Sequence, residues 1–229
     1  MRFVKVRLQN FRNIEFAELP LNKDRTFLFG ANGQGKSNLL EALGLVTAIR
    51  SFRTQTMSTL ARKGENSFIL TYEIEHDYQG TTSLEIRSDR IGRTVIIDGE
   101  RVNRLIDFIG RFPTVTLCSS DLMLLRGSPG ERRRFMDLTF SVVNRTYYRA
   151  LRDFHRGLAG RNRLLKNKGS EAELSAFEKE IAKHFMVITN FRKEGLTILR
   201  DVLCKVYQGI SEADEGPDLN FRQNADCQD

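Results

Sequence analysis

The residues best suited to chemistry form a glycine-rich loop with the sequence Gly30-Ala31-Asn32-Gly33-Gln34-Gly35-Lys36-Ser37. This spacing fits the phosphate-binding pattern G-x-x-x-x-G-K-[S/T]. Because glycine permits positive φ and carries no Cβ, the backbone N–H groups of the loop can turn toward a phosphate. Lys36 is expected to reach the β- and γ-phosphates, and the Ser37 hydroxyl to ligate Mg²⁺. The loop therefore predicts binding of a nucleoside triphosphate.

The segments on either side of the loop match the strand and the helix that such a loop joins. Residues 26–29 predict a short buried strand, and residues 38–49 predict a helix. The start of this helix near Gly35 would offer unpaired N–H donors and the positive end of the helix dipole to the same anion. This context favours a phosphate site over a glycine-rich turn that fits the pattern by chance.

The composition is that of a soluble globular protein. The 229 residues, 40% hydrophobic and 28% charged, suffice for one large domain or two lobes. The apolar runs are far shorter than a membrane span, and charges interrupt the first residues, where a signal peptide would be apolar. Cys118, Cys204 and Cys227 lack metal-ligand spacing and cannot all pair, which favours a reduced, cytoplasmic protein. The net charge of +7 fits a partner that carries phosphates.

Alternating apolar residues predict a first lobe rich in β-structure. Strands are expected at residues 3–8, 14–19, 68–74, 83–86, 93–97 and 113–117, and a short helix at 102–109. Asp98-Gly99 is a strong signal for a two-residue hairpin turn. The stretch 95–100 also resembles an apolar strand that ends in a Mg²⁺-binding acid, but Asp-Gly followed by Arg101-Val102 fits turn chemistry better.

The chain from residue 128 onward predicts helices. Ser128-Pro129-Gly130-Glu131 fits a capping box, and the next residues, Arg132 to Arg134, place positive charge near a helix N-terminus. That unfavourable placement suggests an anionic partner, although a solvated face explains it equally well.

Two apolar stripes then predict two long antiparallel helices that form an arm. The first stripe contains Tyr147, Leu151, Phe154, Leu158 and Leu165, and the second contains Leu174, Phe177, Ile181, Phe185 and Ile188, continuing after Gly195. Five arginines repeat on roughly the opposite face of the first helix: Arg145, Arg149, Arg152, Arg156 and Arg163. This face is either solvated or lies along nucleic acid, with Arg149, Arg152 and Arg156 as candidate DNA contacts.

With these segments in place, the sequence resembles the RecF family of bacterial recombination mediators. The resemblance runs in order over nearly the whole chain. It rests on residues 10–13 (NFRN), 33–42 (GQGKSNLLEA), 50–54 (RSFRT), 121–122 (DL), 126–129 (RGSP) and 131–137 (ERRRFMD). The phosphate loop alone would indicate only an NTPase, whereas the ordered set is specific to this family.

The resemblance implies an α/β fold, the ABC-type P-loop ATPase head related to SMC and Rad50 proteins, with a mixed sheet lobe and a helical second lobe. Lobe I would span 1–127 and lobe II 128–210, and 211–229 would begin the return to lobe I. ATP with Mg²⁺ would bind at the loop, where Arg12 and Asn13 correspond to residues that touch the nucleotide near its base. ATP binding would drive homodimerisation, and hydrolysis would release it. The expected partners are double-stranded and gapped DNA, RecR, RecO and, indirectly, RecA.

The sequence departs from the family in two respects. Ser119-Ser120 stands where relatives usually have Pro-Glu, so the resemblance does not extend a γ-phosphate-sensing role to the segment around Asp121. Neither a signature loop nor an apolar strand ending in acids (Walker B) is found in 1–229. In the family both lie beyond the helical arm. We therefore expect an N-terminal fragment that binds nucleotide at best weakly and does not hydrolyse ATP efficiently.

Other interpretations remain open. The chain could be a non-catalytic module for contact with DNA or protein, or another head of the SMC or Rad50 type. A small P-loop phosphotransferase is a third possibility, but it would need a substrate lid with paired arginines over a compact core. A long two-helix arm does not fit that shape.

Overall fold

The computed structural model describes residues 1–21, 24–54, 56–78, 80–211 and 216–221. Two compact units divide the chain, Met1–Arg126 and Gly127–Asp229. The elements of the first unit are β1 (Arg2–Phe11), β2 (Ile14–Pro20), α1 (Lys36–Gly44), β3 (Phe68–His76), β4 (Gly80–Ser88), β5 (Arg93–Ile97), β6 (Glu100–Arg101) and α2 (Met123–Arg126). The elements of the second unit are α3 (Pro129–Val143), α4 (Arg145–Lys166) and α5 (Glu171–Ile210).

An antiparallel sheet with the strand order β2-β1-β3-β4-β5-β6 carries the first unit. Alternate residues of β3 are buried, as expected for a sheet with one face on a core. Leu39 and Ala42 of α1 belong to the same apolar core. The buried Tyr72 hydroxyl donates to the Ala42 carbonyl at 2.6 Å, and its burial raises the pKa of Tyr72 well above the usual value. These contacts fix α1, and with it the end of the phosphate loop, against the sheet.

The turn between β5 and β6 forms as predicted. Asp98 has φ 50° and Gly99 has φ 83°, the pair of positive values that a tight hairpin of this hand requires. The Asp98 carboxylate accepts a hydrogen bond from the backbone N–H of Ser83 at 2.7 Å. The Asp98 carboxylate therefore stabilises the hairpin, and the predicted turn at Asp98-Gly99 is confirmed.

Two predicted strands are wrong. Residues 26–29 and 113–117 lie in no strand and in no helix. The side chains of Phe27 and Phe29 are 72% and 88% exposed, so the expected burial is wrong as well. A strand is defined by its ladder of hydrogen bonds to a neighbour, and no described residue supplies one to either segment. Alternating apolar residues alone cannot provide that neighbour.

Three further boundaries also differ from the prediction. α1 ends at Gly44 and not near residue 49. Gly44 is closely packed, since a Cβ added to it would lie 2.8 Å from Thr116 Oγ1. Residues 102–109 form only one short 3₁₀ turn, Leu105–Asp107. Ile106 and Phe108 are buried, but a helix of so few residues makes too few hydrogen bonds to offset the cost of its first turn. The sequence also suggests the start of a strand at residues 219–221, but these residues lie in no strand. It further predicts turns at 22–24 and 78–80, of which residues 22, 23 and 79 lie outside the described residues, as do 212–215 and 222–229.

The two long helices of the second unit run antiparallel, as predicted. Phe154 of α4 packs against Phe185 of α5, and further along α4 the guanidinium of Arg161 pairs with Glu178 at 2.7 Å. The Asn144 side chain caps α4, and Ser170 with Glu173 forms a capping box that begins α5. Among the described residues, neither these helices nor the others combine the length and apolar character needed to cross a membrane.

Details of the helix packing differ from the sequence pattern. The first apolar stripe does not extend to Leu165, which is half exposed. Instead, Gly157 and Gly160 allow close approach, since a Cβ on Gly160 would lie 2.4 Å from the Phe177 ring. Ser128 occupies the N-cap of α3 as predicted, but its side chain makes no capping hydrogen bond, and the Glu131 side chain pairs with Arg134 instead. The capping box predicted there is therefore wrong.

Replacing Gly195 with alanine is expected to destabilise the second unit by about 1–3 kcal/mol, since it overpacks a filled site. A Cβ at Gly195 would lie 2.6 Å from two carbons of the Phe140 ring, which is only 8% exposed. Gly209 lies in the same helix, but a Cβ there meets nothing within 4 Å. Gly209→Ala is therefore the matched control, expected to stabilise by about 0.5–1 kcal/mol. The free energy of unfolding of both variants is measured by urea denaturation, monitored by the circular dichroism signal of the helices. Equal changes in the two variants would contradict the packing argument.

Candidate nucleotide-binding site

The phosphate loop has the backbone geometry that its sequence predicts. Gly30, Gly33 and Gly35 have φ of 145°, 82° and 102°, values that residues with a Cβ rarely adopt. Gly35 is the N-cap of α1 and, among the described residues, no side chain caps that end, so the first N–H groups of the helix can bind an anion. Ala31, Asn32 and Gln34 are exposed, which opens the loop to solution.

Lys36 and Ser37 lie in the first turn of α1, beside the loop. The Lys36 ammonium donates to the carbonyls of Gly30 at 2.5 Å and of Ala31 at 2.7 Å, which holds it across the loop. Ser37 is exposed, so its hydroxyl is accessible to a metal ion. The described residues contain no group of three or more His, Cys, Asp or Glu side chains that could hold a metal. Ser37 together with phosphate oxygens and water is the donor set that suits Mg²⁺ here.

Asn13 is in direct contact with the loop. Its Nδ2 donates to the Gly33 carbonyl at 2.8 Å, and its Oδ1 accepts from Nδ2 of Asn38 at 2.7 Å. A Cβ added to Gly35 would lie 3.1 Å from Asn13 Oδ1, so the third loop glycine is needed for this close approach. Both ends of the Asn13 amide are therefore used to support the loop.

Arg12, the other residue of the β1–β2 turn, points to α1. Its Nε and Nη2 donate to the two carboxylate oxygens of Glu41 at 2.9 and 2.6 Å. Nη1 donates to the Thr59 carbonyl at 3.1 Å, and the backbone N–H to Leu60 at 2.7 Å. The structure thus brings Arg12 and Asn13 to the phosphate-loop region. Their hydrogen bonds there are made to protein groups, those of Asn13 to the loop and those of Arg12 to α1.

Four further residues belong to the same hydrogen-bond network: Asn38, Glu41, Ser51 and Arg53. The sequence analysis quoted them within the family motifs but did not predict them as residues of the site. The Ser51 hydroxyl donates to Glu41, and Arg53 Nη1 donates to Asn38 Oδ1 at 2.6 Å and to Glu41 at 3.4 Å. One signal was available: Glu41 is a charged residue among the apolar side chains of the predicted helix, at a position that packs inward. Its partners could not be read from the sequence.

The remaining candidates lie elsewhere. Arg149, Arg152 and Arg156 are exposed on one face of α4 in the second unit, and Arg152 pairs with Asp153 at 2.8 Å. Asp121 accepts a hydrogen bond from the backbone N–H of Cys118 at 2.7 Å and so caps a short 3₁₀ turn.

Comparisons with known proteins place the chain in a family. Residues 5–204 match the AAA domain. The DNA replication and repair protein RecF of Chlamydia trachomatis serovar L2 is 30% identical over 232 residues, covering 96% of this chain and 63% of the relative. A structure of the recombination mediator protein RecF-ATP in the RecFOR pathway matches with a TM-score of 0.86 at 28% identity, covering 91% of this chain and 57% of that chain.

A head domain of Smc from Pyrococcus furiosus, bound to the C-terminal domain of ScpA, matches with a TM-score of 0.52 at 18% identity. It covers 91% of this chain and 64% of that chain and supports the fold alone. The predicted fold class, the ATPase head shared by RecF and SMC proteins, is confirmed. The chain spans 57% to 63% of the length of the RecF relatives. It belongs to the AAA domain family, in which it is a homologue of the RecF proteins.

Proposed function

We propose that this chain is the ATP-binding part of a RecF-type ATPase head that acts in DNA replication and repair. The observation that carries the proposal is the phosphate loop, with glycines at positive φ, Lys36 held across it and an uncapped α1 behind it. ATP is the favoured nucleotide because the RecF relative of solved structure holds it. The decisive test is an equilibrium titration with a fluorescent ATP analogue, compared between the wild type and a variant without the Lys36 ammonium.

Each residue of the site has a proposed role. The backbone N–H groups from Ala31 to Lys36 surround the phosphates, the Lys36 ammonium neutralises their charge, and Ser37 supplies one oxygen to Mg²⁺. Arg12 and Asn13 form the wall of the site beside the loop, on the side expected for the base.

Hydrolysis and dimerisation are proposed for the longer relatives. In heads of this class ATP lies between two copies, so that binding joins them and hydrolysis separates them. A signature loop and a Walker B acid are needed to reach the γ-phosphate and the attacking water. Because neither pattern occurs in 1–229, we expect this chain alone to bind ATP without efficient turnover.

DNA is the proposed macromolecular partner, with recognition of double-stranded and gapped DNA near junctions with single strands. The RecF relative of solved structure acts in the RecFOR pathway, which supports RecR and RecO as proposed partners. Assistance in RecA loading is the proposed outcome. On this chain, the exposed arginines of α4 are the candidate contacts, since guanidinium groups along one helix face can pair with successive phosphates.

Replacing Arg149 and Arg152 with glutamate is expected to weaken DNA binding and to flatten its salt dependence. Loss of two phosphate contacts lowers the slope of log K against log salt by about 2. The measurement is fluorescence anisotropy with a gapped duplex at several salt concentrations.

A matched control reverses the same amount of charge on the other helix of the arm, at the exposed Lys179 and Lys183. If both double variants lose the same affinity, net charge and not the α4 face governs binding. If neither double variant changes the affinity for DNA, the proposed contacts are wrong. DNA affinity that is the same with and without ATP would favour the non-catalytic interaction module.

A further inference from the structure

The carboxylate of Glu41 lies in the core, in the second turn of α1 after the phosphate loop. The residue has 0% relative exposure, whereas its neighbours in the core are apolar. A buried carboxylate is costly unless its charge is paired and its oxygens accept hydrogen bonds. Arg12 provides a bidentate pair, and Ser51 and Arg53 supply further donors. One carboxylate thus joins α1, the β1–β2 turn and the 51–53 segment.

The hydrogen bonds of Glu41 continue to the phosphate loop. Arg53 binds both Glu41 and Asn38, Asn38 donates to Asn13, and Asn13 donates to the Gly33 carbonyl. The bond from Arg53 to Glu41 is the longest at 3.4 Å, and the three bonds that lead on from Arg53 to the loop are 2.6, 2.7 and 2.8 Å. Gly33 is the middle glycine of the loop, so this chain of bonds ends where the backbone must curve around a phosphate.

The backbone of Arg12 is held in an unfavourable conformation by the same contacts. Arg12 has φ 58°, and it is the first residue of a two-residue hairpin turn between Phe11 and Ile14. Glycine or asparagine suits such a position, and an arginine there is retained only when its surroundings compensate. The compensation is the bidentate pair with Glu41 and the bonds to Thr59 and Leu60.

We propose that Glu41 is the positioning residue of the nucleotide site. Its carboxylate fixes Arg12 directly, and through Arg53, Asn38 and Asn13 it fixes the phosphate loop at Gly33. The inference rests on the proposed function, since the site that Glu41 positions is the ATP site. Glu41 itself touches no nucleotide, because it is buried.

The test is the variant Glu41→Gln, which keeps the shape of the side chain and removes the charge. We expect the dissociation constant of a fluorescent ATP analogue to rise about 10–100-fold, the size of effect seen when a residue that orients the ligands of a metal site is removed. The titration is made at a temperature at which circular dichroism shows the variant to be folded. Glu18→Gln is the matched control, because Glu18 is also paired, with Arg7 and Lys5, but on the outer strand β2. It should leave affinity unchanged.

The readout separates positioning from stability. If Glu41 only stabilises the fold, the variant melts earlier but the folded protein binds with the wild-type dissociation constant, since affinity falls only by the folded fraction. That result overturns the proposal.

A second variant, Asn38→Ala, removes the hydrogen bonds that link Arg53 to Asn13. Alanine is a good helix former, so the substitution preserves α1. It gives the answer even where Glu41→Gln does not fold. We expect Asn38→Ala to weaken binding in the same direction, and the double variant to lose less than the sum of the two effects, because both act through one chain of bonds. Unchanged affinity of Asn38→Ala, or full additivity, overturns the proposal. No nucleotide binding by the wild type overturns the ATP site itself, which is a distinguishable outcome. Loss of affinity in Glu18→Gln equal to that in Glu41→Gln overturns the specific role of Glu41.

Discussion

Replacing Lys36 with alanine is expected to weaken ATP binding by about 100-fold or more. The ammonium is held across the loop by two backbone carbonyls, where it can pair with two phosphate groups. Hydrogen bonds to charged groups contribute about 1.5–3 kcal/mol each, so two of them account for a loss of this size. The α1 N-terminus and the loop N–H groups remain, which leaves weak residual binding.

The measurement is titration with a fluorescent ATP analogue, with and without Mg²⁺. Lys179→Ala is the control, since it removes an exposed lysine of α5 and the same charge. Circular dichroism checks that both variants are folded. If Lys36→Ala binds ATP as tightly as the control, the phosphate loop is not the nucleotide site. If the wild type hydrolyses ATP at an enzyme-like rate, the proposed need for residues beyond this chain is wrong, and Asp98 must be reconsidered.

Replacing Asp137 with alanine is expected to lower the stability of the second unit by up to about 3–5 kcal/mol, the effect of removing one partner of a fully buried ion pair, since this pair is largely but not fully buried. The Asp137 carboxylate accepts from Arg192 Nη2 at 2.6 Å and from the Tyr147 hydroxyl, and Arg192 Nε donates to that hydroxyl at 3.1 Å. The Arg192 side chain is only 13% exposed. Burial and the adjacent carboxylate raise the pKa of Tyr147, which therefore stays a neutral donor.

Urea unfolding followed by helical circular dichroism measures the loss. Glu131→Gln serves as control because it breaks the exposed pair with Arg134, which is worth at most about 1 kcal/mol. Replacing both Asp137 with leucine and Arg192 with methionine should recover part of the stability, since no unpaired charge then remains. The recovery is incomplete because the buried Tyr147 hydroxyl loses both of these hydrogen-bond partners. Equal midpoints for Asp137→Ala and the control would show that the three helices are held by apolar packing alone.

Local patterns allowed several features to be predicted from the sequence. The phosphate loop depends on glycines and a lysine close together in the chain, and the Asp98-Gly99 turn depends on two adjacent residues. The helical arm depends on an apolar period that repeats over many turns. In each case the residues that determine the structure are neighbours in sequence, so their types and spacing suffice.

Contacts between distant residues decided the remainder. The sequence determined that a loop able to bind phosphate precedes a helix, because backbone freedom and helix ends are local properties. Only the tertiary structure decided that residues 26–29 have no ladder partner in the described part of the chain, since pairing depends on which segments meet. It also decided that Arg12 bonds to Glu41, 29 positions away, and that this carboxylate is linked to Gly33. A buried charge requires a partner, but only the fold determines which residue that partner is.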